Sequence, residues 1–274
     1  YARIAALCRA RRVPVLVTLF PPEADDLTLR AEVARLSRKL GFLVADPAPA
    51  YDALGREKML MDETHPTAFG HHVAAEEVFR FLLRTPGTGI ARMPAAPLPD
   101  FDGARAAFVR GEKALAANAV TGAAGHFAAA VEKAPHYAGL AAYTLYQASI
   151  RLAGAGPPEP RYRAAREATA HAPDSIVYAL HFAEVCRDAH RFEEGLDAAR
   201  RAHRLAQALR NDGAPGANAW MEDARRALAR ALEGRARDLL RRENDAARAL
   251  ALFREALALE AGPRMELRLG EAEA

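Results

Sequence analysis

From about residue 103 onward, one set of residues returns at nearly constant intervals, and self-similarity of this kind constrains a fold more than any single motif. Gly111 is followed by Ala123, Phe127, Ala130 and Pro135. The same offsets return as Ser149, Arg161, Ala165, Ala168 and Pro173, then as Ala183, Gly195, Ala199 and Ala202, and more weakly as Ala249, Phe253 and Ala256. The interval is 38 residues from Gly111 to Ser149 and 34 from Ser149 to Ala183, with an insert around "RNDGAPGANAW". Small residues at such positions let two antiparallel helices approach closely, an aromatic fills the gap between neighbouring hairpins, and proline ends the second helix. Arg161 and Arg237 stand where a small residue is expected, so the second and fourth units depart from the pattern.

Composition agrees with stacked helices. Hydrophobic residues make up 51% of the 274 with only 7% aromatic, and Ala, Leu and Arg dominate, a mixture suited to helices packed through small side chains. The set of repeats over roughly 103–265 resembles tetratricopeptide repeats. That resemblance implies an all-α domain of helical hairpins, with a protein or peptide partner held on its concave face.

The first third reads differently. "VPVLVTLF" (13–20) is a continuous Val-rich run between Pro14 and Pro21, the pattern of a strand buried on both faces. Leu29, Val33, Leu36 and Leu40 fall at helical spacing over 28–40, and Gly41 follows as a stop. "FLVAD" (42–46) reads as a second strand, and 68–83 as a helix with Ala74, Val78, Phe81 and Leu82 on one face. Strand, helix, strand, helix predicts the end of a doubly wound, flavodoxin-like α/β sheet over 1–84. Pro86, Pro94, Pro97 and Pro99 mark 85–102 as a stiff linker to the repeats, 103–274.

Chemistry concentrates in "MLMDETHPTAFGHH" (59–72). Asp62 and His65, with two residues between them, stand before Pro66 and a helix, so the carboxylate can fix one ring nitrogen while the other points outward. A serine ester hydrolase needs that combination: a base for the hydroxyl, and an acid that sets the imidazole tautomer and stabilises its charge. The stretch "MDETHPTAFGHHVAAEEVFRFL" resembles the last conserved block of the SGNH (GDSL-type) hydrolases, and "VPVLVTLFPP" with "LGFLVADPAPAYDAL" resembles the late strands of that fold. The resemblance covers about residues 1–84. It implies His65 as general base, Asp62 as its partner, and an ester-bearing small molecule, lipid or glycan as substrate. The nucleophile and oxyanion blocks of that family are missing: serine occurs only at 37, 149 and 175, and no asparagine precedes Asn118. The chain is therefore expected to be a fragment, inactive alone, since it begins at Tyr1 within what reads as a helix.

Other readings are narrower. His71 and His72 could join Asp62 and His65 on zinc, but adjacent helical residues point about 100° apart, so neither a metal nor any other cofactor is expected. The net charge of +3 is spread over interleaved signs, with lysine only at 39, 58, 113 and 133, the pattern of a solvated surface and not of a nucleic-acid interface. No apolar run reaches bilayer length. Cys8 and Cys186 are expected as buried free thiols, and His126, His136, His171, His181, His190 and His203 as structural or solvated. Trp220 and Tyr143 could line a peptide groove but are more often packing residues. Two alternatives remain: a non-catalytic repeat scaffold carrying an α/β remnant, and an acyltransferase that passes the acyl group to a sugar. The compartment is left open.

Overall fold

The computed structural model of the chain describes residues 2–19, 27–55, 59–60, 66–85, 99–154 and 156–259. They fall into two compact units, Tyr1–Pro99 and Asp100–Ala274.

The first unit contains α1 (Ala2–Ala10), β1 (Leu16–Thr18), α2 (Leu27–Lys39), β2 (Leu43–Ala45), α3 (Ala48–Leu54) and α4 (Ala68–Arg84). β1 and β2 pair in parallel, Leu16 opposite Leu43 and Thr18 opposite Ala45, with α2 as the crossover. Gly41, at φ 78, ends α2. Its N–H donates to Arg38 O, and the Phe42 N–H donates back to Ser37 O at 3.0 Å, a Schellman closure that glycine makes without strain.

The expectation of a doubly wound, flavodoxin-like α/β sheet is corrected here. The chain is mostly α-helical, and its sheet among the described residues has two strands of three residues each. β1 is only half-buried along its length, whereas strands of a doubly wound sheet are covered on both faces. A Val-rich run reports that a segment tolerates burial; it carries no information on how many strands join it. α2 shows a related effect. Leu29 is 57% and Leu36 44% exposed, while Ala34 and Ser37 are buried, so the helix buries its small residues and turns its long apolar ones outward.

The second unit is all-α and helical-repeat-like. It runs α5 (Phe101–Ala116), α6 (Val120–Lys133), α7 (Tyr137–Arg151), α8 (Pro158–His171), α9 (Ile176–Asp188), α10 (Phe192–Asn211), α11 (Ala217–Asp238), a π-helical turn (Leu239–Glu243) and α12 (Ala246–Leu259). Short connections make α5/α6, α7/α8, α9/α10 and α11/α12 hairpins. Asp100 caps α5, accepting from the Gly103 N–H at 2.9 Å and pairing with Lys133 at 2.7 Å. These two contacts hold its carboxyl below the usual range, the Lys133 bond first.

The recurring small residues do what the spacing requires. A Cβ on Gly111 would lie 2.5 Å from the Phe127 ring, and one on Gly195 3.0 Å from the Cys186 Cβ. Phe108, Phe127 and Tyr137 are fully buried, with Phe108 and Phe127 ring centroids 5.0 Å apart. Arg161 is accommodated because its guanidinium leaves the hairpin and pairs with Asp188 of α9 at 2.7 Å. Arg237 turns outward onto Glu233. The buried residue packed with Phe253 is Ala236 instead, seventeen positions earlier where the other hairpins have sixteen, because the π turn absorbs one extra residue. The insert is only partly a loop, 212–216. It lengthens α10 to 20 residues and α11 to 22, against 14 in α6 and α8, and α10 packs on α11 as closely as helices do within a hairpin.

Candidate functional site

Asp62 and His65 lie in the stretch 61–65, outside the described residues, but both ends of that stretch are described. Leu60 and Pro66 form an antiparallel bridge, and the Thr67 N–H donates to Met59 O at 2.8 Å. Thr67 then caps α4, its Oγ1 accepting from the Gly70 N–H at 2.9 Å, which satisfies one of the four orphan donors of a helix start. Gly70 is required by contact and not by conformation: a Cβ there would lie 2.1 Å from the Met59 carbonyl oxygen. The Tyr51 hydroxyl donates to Gly70 O at 2.6 Å from a fully buried position. Burial pushes this phenol up to about 12, so it stays a donor. Sequence reading singled out the acid and the histidine but missed Met59 and Tyr51. Gly70, in the first turn of a helix, is the one signal that could have pointed to them. His71 is exposed, and His72 is half-buried with Nε2 3.6 Å from the Glu76 carboxylate one turn on.

None of the three serines is placed to act as a nucleophile. Ser37 is buried within α2, Ser175 caps α9, and Ser149 is fully buried in α7. Cys186 is buried and its thiol is pushed up to about 12 by burial, which removes it as a thiolate at neutral pH. Cys8 is half-buried and also unpaired with any sulfur.

In the second unit a groove of ≈ 560 Å³ runs along α9 and α11, with Tyr146 of α7 at its edge. Trp220 lines it; Tyr143, 43% exposed, is not among the lining residues, whereas Tyr146 is. His181 also lines the groove, its ring edge-on to Tyr146 at 4.9 Å and its Nε2 2.9 Å from Ser149 Oγ. Burial lowers the pKa of this imidazole, helped by Arg161 and opposed by Glu184 and Asp188. A second recess of ≈ 470 Å³ continues between the end of α9, Phe192 and the last turns of α11, and Arg187 and Arg230 line both.

No family model matches the chain, and no curated protein matches it. Among the described residues no helix is long and apolar enough to cross a membrane.

Proposed function

We propose that this chain joins the acid–base loop of a serine ester hydrolase, Asp62 and His65, to a tetratricopeptide-like module for a protein partner. The observation that carries the first half is the closed base of the 61–65 stretch. The Leu60–Pro66 bridge, the Thr67 cap and the Met59–Gly70 contact fix both ends of the segment holding Asp-x-x-His-Pro, as a base that must meet a hydroxyl requires. The resemblance to SGNH hydrolases is now confined to this local block, because the sheet it implied is not built. In this reading a serine supplied by polypeptide outside these 274 residues gives its proton to His65 as it attacks the ester carbonyl. His65 returns that proton to the leaving alcohol, and water completes hydrolysis by the same route. Asp62→Asn in the complete protein is expected to lower kcat for a simple acyl ester by on the order of 10⁴, as in a protease triad. Unchanged turnover would remove Asp62 from the chemistry.

The second half is supported by the groove over α7, α9 and α11, since stacked hairpins present such surfaces to partners. Loss of esterase activity in the Asp62→Asn protein with partner binding intact would separate the two roles. An acyltransferase would differ from a hydrolase only in its acceptor, and product analysis with a sugar alcohol present distinguishes them.

A further inference from the structure

We infer that the groove on α9 and α11 binds an extended acidic peptide: Arg187 and Arg230 take its carboxylates, and an apolar side chain of the same peptide lies against Trp220. This rests on the reading of the second unit as a protein-interaction module.

Three of the arginines lining these recesses are already neutralised. Arg226 is paired with Asp223 at 2.7 Å, Arg242 with Asp238 at 3.1 Å, and Arg237 with Glu233. Among the described residues Arg187 has only its chain neighbour Asp188, at 3.4 Å, and that carboxylate is held closer, at 2.7 Å, by Arg161. Among the described residues, Arg230 and Arg241 have no carboxylate within ion-pair distance. Two guanidinium groups at the junction of both recesses thus stand with uncommitted donors, which suit planar carboxylates.

The other end has opposite character. Val177, Leu180, Ala227 and Trp220 give it an apolar side, and Glu184 and Asp223 sit there with them. A continuous polyanion such as RNA or polyphosphate would lay charge beside those two acids. A peptide avoids this by placing a neutral apolar residue at Trp220 and its acids, one or two residues on, at Arg187 and Arg230. Alternating side chains along an extended chain permit that division.

Trp220 is the only tryptophan in the chain, so its fluorescence reports occupancy directly. The full chain is titrated with an acetylated hexapeptide carrying one leucine followed by three glutamates, with the same peptide bearing glutamines, and with a single-stranded oligonucleotide. The expected result is a saturable Trp220 change with the glutamate peptide, at least ~10-fold weaker with the glutamine peptide. The glutamate peptide should also weaken by ~10–100-fold in the Arg187→Ala, Arg230→Ala double variant. Both side chains are exposed, and circular dichroism checks that the variant folds. Equal binding of the two peptides, or unchanged affinity in the double variant, overturns the acidic preference while leaving the module reading standing. Failure of both peptides, with or without oligonucleotide binding, overturns the preference and the module reading together.

Discussion

Ser149 Oγ and His181 Nε2 are 2.9 Å apart, yet the pair is arranged in the reverse sense to a catalytic dyad. The Ser149 hydroxyl has a single proton and lies 3.1 Å from the Arg161 carbonyl, which can only accept. Satisfying both contacts requires Ser149 to donate to Arg161 and to accept from His181 Nε2–H. The imidazole therefore acts here as a donor, tying α7 to α9 and orienting a groove-lining ring. Ser149→Ala strands that donor and is expected to cost about 1–2 kcal/mol, measured by urea unfolding of the second unit.

Stability of the second unit should fall as pH drops. His171 and His181 both have pKa values lowered by burial, so the unfolded chain binds protons that the folded chain refuses. Stability is then full above the ordinary imidazole value of ≈ 6.5 and declines as pH falls from there to the depressed folded values. Asp100, held below the usual carboxyl range, adds loss in the same direction at more acid pH. Chemical denaturation at pH 7.5, 6 and 5 should show this slope, and a His171→Gln, His181→Gln variant should flatten it above pH 5.

Gly111→Val is expected to destabilise by about 1–3 kcal/mol, the usual range for overpacking a filled core. The branched side chain would enter the space of the Phe127 ring, which is itself fully buried. Adding Phe127→Leu should recover part of the loss, and a double-mutant cycle from thermal melts measures how much.

Gly70→Ala tests the loop base. The added methyl meets the Met59 carbonyl, so the backbone must shift at the end of the stretch that holds His65. In the complete protein the expected outcome is a fall of ~10²-fold in kcat, the scale of a misplacement of about 1 Å. Wild-type turnover with Gly70→Ala would show that the Met59 contact does not position the loop.

Arg235 is a hub: it reaches Glu193 of α10, Asp238 at 2.9 Å and Glu243 of the π turn at 2.6 Å, with its own side chain 12% exposed. Because Glu193 and Glu243 are partly solvated, the expected cost of Arg235→Ala is about 1–2 kcal/mol. Arg235→Lys should recover little, since one ammonium cannot serve three directions held by a planar fork.

The helical hairpins were legible because close approach between helices demands small residues at fixed offsets, and Gly111, Ala123, Phe127 and Ala130 keep those offsets. The offset was misread at Arg237, since a π turn adds one residue without altering the residues around it. The first unit was less legible. Strand 13–20 and helix 28–40 were found as elements, but the number of strands and the buried side of α2 depend on what packs against them, which local periodicity does not record. At the candidate sites the chemistry-bearing residues were visible by type. The contacts that hold them were not: Met59 against Gly70 lies within the 59–72 stretch but is marked by a single glycine, and Ser149 against His181 joins positions 32 apart that no motif links.

The lengthened α10 and α11 have a consequence for how this groove can change. Six more residues in α10 than in α8 add ~9 Å of rod, and Ala206 and Ala224 stay buried in the added layer, with Trp220 packed beside them. Residues added at the end of a helix leave every earlier side chain where it was. The wall bearing Trp220 can thus be raised or lowered by insertion or deletion alone, making groove depth a heritable variable that is separable from the fold beneath it.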